Sequence, residues 1–185
     1  MACDLAAGYK DPCRSKIAGL RALYIANYED VDGIVYDTTN TSAVTELFAE
    51  AGDSVYKFEL LGTNNLTEAS AGDFTTGTTA YTQTGSFQLK HVSAELNEIV
   101  QLLAVGRPII VVEDYNGSAR VMGLTDGCQV QVASDSGTAK ADFAGYTLTV
   151  TATEPTLANG VDGAIAGNPF AGFTNAPTVV VGTEI

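Results

Sequence analysis

The sequence predicts a mainly β fold: a single-domain β-sandwich or open β-barrel with one or two short flanking helices and an extended C-terminal arm. Three observations carry this expectation. Short runs of β-branched and aromatic residues recur along the chain, separated by Gly, Asn, Asp and Pro. Two segments place apolar residues at i, i+3, i+4 and i+7, the spacing of one helix face. Asn116-Gly117 stands between IIVVED and SARVMGL, where it is a strong short-range hairpin signal. The core domain is expected over 1–155, with a long hairpin loop at 62–79, and the arm over 156–185.

In chain order, KIAGLRALYIANYEDV reads as the first strand, because Ile17, Leu20, Leu23 and Ile25 mix with Tyr24 and Tyr28. GIVYD, Gly33 to Asp37, is a short second one. TSAVTELFAEAG follows, with Val44, Leu47, Phe48 and Ala51 on one helical face, Thr41 or Ser42 as the cap and Gly52 as the stop. SVYKFELLG alternates Val55, Lys57 and Glu59 against Tyr56, Phe58 and Leu60, and AYTQTGSFQLKHV keeps Tyr81, Phe87 and Leu89 on one parity. These two runs flank the polar 62–79 stretch and are expected to form an extended hairpin. Thr82, Gln83, Thr84 and Ser86 leave the second run weakly hydrophobic, suited to an aqueous surface or an interface.

Ser93 occupies an N-cap position, Glu95 and Glu98 lie in the first turns, and Gly106 closes the segment. Leu96, Ile99, Val100 and Leu103 give it an apolar face, so an amphipathic helix is expected here. Pro108 cannot extend that helix, and IIVVED is too apolar to face water on either side. The Asn116-Gly117 turn, with both residues at positive φ, should return the chain as SARVMGL. CQVQVAS and GYTLTVTATE complete the strand set, with Tyr146, Leu148 and Val150 sharing a face. After Pro155 the chain turns rich in Gly, Ala, Asn and Pro with Phe170 and Phe173 as isolated anchors, and its end, TVVVGTEI, could join a sheet edge.

Of 185 residues, 45% are hydrophobic and 17% charged, enough apolar material for one cored domain and not a disordered composition. No apolar run reaches the ~18 residues of a membrane span, and Asp4 stands where a signal peptide carries basic residues. Synthesis in the cytosol without conventional export is therefore expected, and no membrane partner. The net charge is −13, with residues 1–21 at +2 through Lys10, Arg14, Lys16 and Arg21. So acidic a surface disfavours sequence-specific DNA binding while letting DNA slide past; plain solubility would also account for it. Cys3, Cys13 and Cys128 follow no metal-ligand spacing; Cys3 and Cys13 could form a bridge, although free thiols suit an intracellular protein.

Few residues qualify for chemistry. His91 precedes Glu95 by four residues, which would suit a base with its orienting carboxylate, or two metal ligands, only if one helix carried both. His91 is the only histidine, and it falls before the helix start, where a surface or capping role is expected. Glu113 and Asp114 precede a tight turn, where acidic residues are ordinarily solvated. There is no nucleophile elbow, phosphate-binding loop or calcium loop, and the sequons at Asn40, Asn65 and Asn116 have no meaning outside a secretory pathway. No catalytic, cofactor-binding or metal-binding residue is assigned, and no cofactor is expected. The informative features are architectural and suggest a protein whose partners are copies of itself.

Four segments together resemble a known group: CRSKIAGLRALYIANYEDV, YKFELLGTNN, GRPIIVVEDYNGSARVMGLTDG and GYTLTVTATE. Over roughly residues 13–155 the chain resembles tail-tube and neck-ring virion proteins of tailed bacteriophages, in particular crAss-like phages of Bacteroidetes hosts. The resemblance implies a β-sandwich or open barrel whose copies join sheets in a ring, typically of six or twelve, and reach the next ring by a hairpin or arm. It implies a location in the tail or neck of the virion, contacts with adjacent ring, tail or portal-side proteins, and DNA only as passing cargo in an ejection channel with an acidic lumen. The long glycine-rich C-terminus departs from a minimal tube subunit, leaving a neck, head-completion or capsid-attached position open. The alternative is a virion-surface binding module, such as a carbohydrate-binding or adhesin-like β-sandwich or a head-attached accessory protein; a glycosidase using unrecognised carboxylates ranks third.

Overall fold

The computed structural model describes residues 7–11, 14–73, 75 and 77–182; Cys3 and Cys13 lie outside them. Twelve strands and one helix follow in order: β1 Leu20–Ala26, β2 Val35–Tyr36, β3 Ala43–Glu46, β4 Ser54–Glu59, β5 Asn65–Asp73, β6 Thr78–Lys90, α1 Ala94–Val105, β7 Ile109–Asp114, β8 Ala119–Met122, β9 Gln129–Asp135, β10 Gly145–Glu154, β11 Asn159–Val161 and β12 Thr178–Val181. A 3-10 turn spans Tyr28–Asp30. The strands form a larger sheet of eight, ordered β12-β4-β1-β7-β8-β11-β3-β2, and a smaller one of four, ordered β5-β6-β10-β9. The fold is mainly β and of sandwich type, as expected, and neither sheet closes into a barrel.

The larger sheet is buried on both faces, which explains the uninterrupted apolar run of β7. Ile110 and Val112 face the smaller sheet with Leu23, Ile25, Phe87, Leu148 and Val150, while Leu96 and Val100 of α1 seal the same core. Ile109 and Val111 face the other way, into a second core with Tyr24, Val44, Phe48, Phe170 and Phe173. A strand with apolar layers on both sides cannot alternate with polar residues.

Helix α1 is where the spacing puts it. The Ser93 hydroxyl accepts the Leu96 N–H at 3.1 Å, and the chain leaves the helix at Gly106. Leu96 and Val100 are buried, but Ile99 is 39% exposed, so the apolar face is narrower than expected. The return of β7 into β8 differs in detail. Gly117 has φ 81 while Asn116 does not take positive φ; the Gly117 N–H donates to the Asp114 carbonyl and the Asp114 N–H to the Ser118 carbonyl. This is a three-residue loop ending in a left-handed glycine, and not the two-residue turn expected. Asn116 is thereby free to bond Ile17 through both its amide atoms, at 3.1 and 2.7 Å.

Three expectations are corrected. The segment at Val44–Ala51 is not a second helix: Ala43–Glu46 is a strand between β2 and β11, and Leu47 and Phe48 reach the core from the loop after it. Pairing with β11, more than a hundred residues onward, outweighs a helix too short to stand alone. Val55–Leu60 does not pair with Ala80–Val92; β4 pairs with β1 and β12, and the 62–79 stretch itself supplies β5, the antiparallel partner of β6. Its Thr, Ala, Ser and Gly lack apolar alternation because most of its side chains face water. Finally, the chain after Pro155 does not stand off as an arm. β11 is inserted between β8 and β3, Phe170 and Phe173 are buried, and β12 adds in parallel to β4 at the edge of the chain's own sheet.

Candidate assembly surface and the carboxylates

The residues weighed for catalysis are not brought together. His91 lies at the end of β6, exposed, with φ 65 and its N–H on the Ala144 carbonyl at 2.9 Å. Glu95 is exposed in the first turn of α1, on the far side of the Ser93 cap, and no hydrogen bond or ion pair links the two among the described residues. Among those residues no group of three or more His, Cys, Asp or Glu side chains is placed to hold a metal ion.

Glu113 and Asp114 part company. Asp114 behaves as expected for a turn residue, accepting the Asn116 and Ser118 N–H groups at 2.8 and 2.9 Å. Glu113 is 0% exposed, contrary to the solvated role expected for it. Its Oε2 accepts the Tyr24 hydroxyl at 2.9 Å, its Oε1 accepts the Gly167 N–H, and the Arg21 guanidinium lies 3.8 Å away. A buried carboxylate survives when its oxygens are satisfied in this way. Burial raises the Tyr24 phenol well above the ordinary tyrosine range, and the bonded Glu113 raises it further.

Other carboxylates hold backbone in the same manner. Glu46 accepts the Thr174 and Asn175 N–H groups, Glu154 accepts the Thr125 N–H at 3.0 Å and its hydroxyl, and Glu68 binds Arg120 and the Ala158 N–H, each at 3.2 Å. Burial, with Glu154 nearby, pushes the Cys128 thiol up to about 12, so it is a buried apolar group and not a nucleophile. Two shallow concavities open on the surface. One, of about 240 Å³, lies beside Arg21, Lys57 and Tyr115; the other, of about 390 Å³, lies between the start of α1 and Tyr146. Neither gathers a base, a nucleophile and an oxyanion donor.

The most distinctive surface is the outer face of the smaller sheet. On β6, Gln83, Phe87 and Leu89 point inward; on β10, Tyr146, Leu148, Val150 and Ala152 do so. The alternate positions form cross-strand rows on the outside. One row is Thr67, Thr84, Thr151 and Gln129; the next is Asn65, Ser86, Thr149 and Gln131. Ala69, Thr82 and Thr153 extend the lattice on one side, and Gln88, Thr147 and Ala133 on the other. In a chain of net charge −13 these rows hold no ionisable side chain; charge returns only beyond them, at Asp73, Lys90 and Asp135. The alternation TLTVTAT announced the outward threonines of β10, but the lattice needed the registers.

Both edges of this sheet, β5 and β9, lack an outer strand partner among the described residues. Each adjacent pair is antiparallel, so β5 and β9 run in opposite senses. A β9 edge of one copy and a β5 edge of another therefore match as an antiparallel pair. Comparison with protein families, with curated proteins and with solved structures finds no match. No helix among the described residues is long and apolar enough to cross a membrane.

Proposed function

We propose that the protein is a non-enzymatic structural component of a tailed-phage virion, assembling into a ring or tube of the tail or neck around the DNA channel. The observation that carries the reading is the smaller sheet: one face packed on a core, the other an uncharged hydroxyl lattice, and two edges of opposite sense that lack an outer strand partner among the described residues. Copies join β9 to β5, so that the sheets continue around a ring and the threonine face lines the passage. Such a lining is wet but offers phosphate no cation, and the net charge of −13 further discourages adhesion of DNA. The lumen in this arrangement is neutral at its sheet wall, and the acidic residues lie elsewhere. Edge pairing also removes the aggregation hazard of a long open strand by using it.

A glycan-binding module is less well supported. Sugar-binding surfaces combine polar groups with apolar or aromatic ones, and the outward rows contain no aromatic side chain. Negative-stain imaging and mass photometry of the purified chain test the reading. Rings or tubes with a central channel are expected; a monomer at every concentration tried, or a dimer without a channel, would refute it.

A further inference from the structure

We propose that residues 162–182 form a latched strap that opens as one unit while the two-sheet body stays folded. The proposal is independent of the ring reading.

The strap differs from the rest of the chain in how its backbone is held. Strands of the body are fixed by long hydrogen-bonded ladders, whereas between β11 and β12 the only ladder element among the described residues is the isolated bridge Ile165–Asn168. Its two ends are tied by backbone, Asp162 to the Val44 carbonyl and β12 to β4, but between them side chains of the larger sheet hold the strap. Glu113 on β7 accepts the Gly167 N–H, and Tyr24 on β1 donates to the Gly167 carbonyl at 3.3 Å. Glu46 on β3 accepts from Thr174 and Asn175, whose own side-chain amide donates to the Ala49 carbonyl at 2.8 Å.

Around the first latch the chain closes on itself. Gly163, with φ 68, lies so near Gly172 that a Cβ on it would stand 2.7 Å from the Gly172 Cα. The intervening residues thus make a loop whose ends meet, the form of an Ω-loop, and Phe170 projects from it into the core of the body. Phe170 sits edge-on to Tyr24 at 5.5 Å and to Phe173 at 5.5 Å. One plug and two carboxylate latches on a continuous segment cannot be released piecemeal: withdrawing Phe170 displaces Gly167 and Phe173 together. β11 stays with the body because strands flank it on both sides. β12 goes with the strap, since it holds only the outer edge through β4. Opening as one unit is expected of a segment whose middle is held to the body by side chains and not by a backbone ladder.

The test is residue-resolved amide hydrogen exchange on the full chain, unmodified and carrying Glu46→Ala. Glu46 is only half-buried, so its loss leaves the body folded. The substitution should speed exchange about tenfold or more at Gly167 and across 163–181, β12 included, while β1 and β7 amides keep their protection. Glu113→Ala should act reciprocally on Thr174 and Asn175. Acceleration confined to residues 174–175 in the first variant, or equal acceleration in β1 and β7, would overturn the proposal.

Discussion

Phe170→Ala offers the sharpest measure of whether the C-terminal segment belongs to the core. The ring is 1% exposed, with Tyr24 and Phe173 at 5.5 Å and Phe48 at 6.3 Å. Truncating so enclosed a ring loses its transfer free energy and leaves a cavity, at a cost of about 3–5 kcal/mol. The lost edge-to-face contacts are already contained in that range. Against a domain stability of about 5–15 kcal/mol this is a substantial fraction. At about 2–4 °C per kcal/mol for a chain of this size, a cost near 4 kcal/mol lowers Tm by about 8–16 °C. The assay is urea denaturation followed by far-UV circular dichroism, with thermal melting alongside. A segment standing off the body would respond as a surface site does, within about 0.5 kcal/mol. A loss under about 1 kcal/mol would therefore refute the packing described for residues 156–182. By the same reasoning, removing residues 156–185 takes β11 out of the middle of a sheet, and a folded monomer is not the expected product.

Two further outcomes follow from particular residues. The Cys128 thiol is raised from 9.0 to about 12, first by desolvation and then by Glu154, so the folded state holds its proton more tightly than the unfolded one. Its contribution to stability is complete below pH 9 and is lost as pH rises toward 12, which denaturation midpoints at pH 8 and pH 10.5 should reveal. The Cys128 peptide should also resist alkylation at pH 8 until denaturant is added; rapid native labelling would contradict its burial. Thr151→Lys places a cation in the middle of the outer lattice, where the side chain projects from the sheet. Stability should change by no more than about 0.5 kcal/mol. Retention of duplex DNA by the assembled protein should rise and fall off with added salt; unchanged retention would argue against a threonine-lined passage.

The sequence was informative where local chemistry decides structure. α1 lies between Ser93 and Gly106 because a hydroxyl cap and a helix-ending glycine act within a few residues. β1, β4, β7, β9 and β10 fall on the expected runs because branched and aromatic side chains favour a pleated surface whatever their partners. The inward parity of Phe87 and Leu89 held for the same reason. Glu113 shows the limit. Its place before a turn suggested solvent, and nothing local reveals that Gly167, more than fifty residues later, comes back to cover it.

By itself, then, the sequence determined the β character of the chain, the helix α1 and the position of the β7–β8 hairpin. All are properties of neighbouring residues. Only the tertiary structure decided that Ala43–Glu46 is a strand, that Asn65–Asp73 pairs with β6, and that the glycine-rich C-terminus is core. It also decided that threonines from different strands align into one uncharged face. Each depends on a partner distant in sequence. The free energy of burying and pairing that partner exceeds the local preference, and no local pattern encodes it.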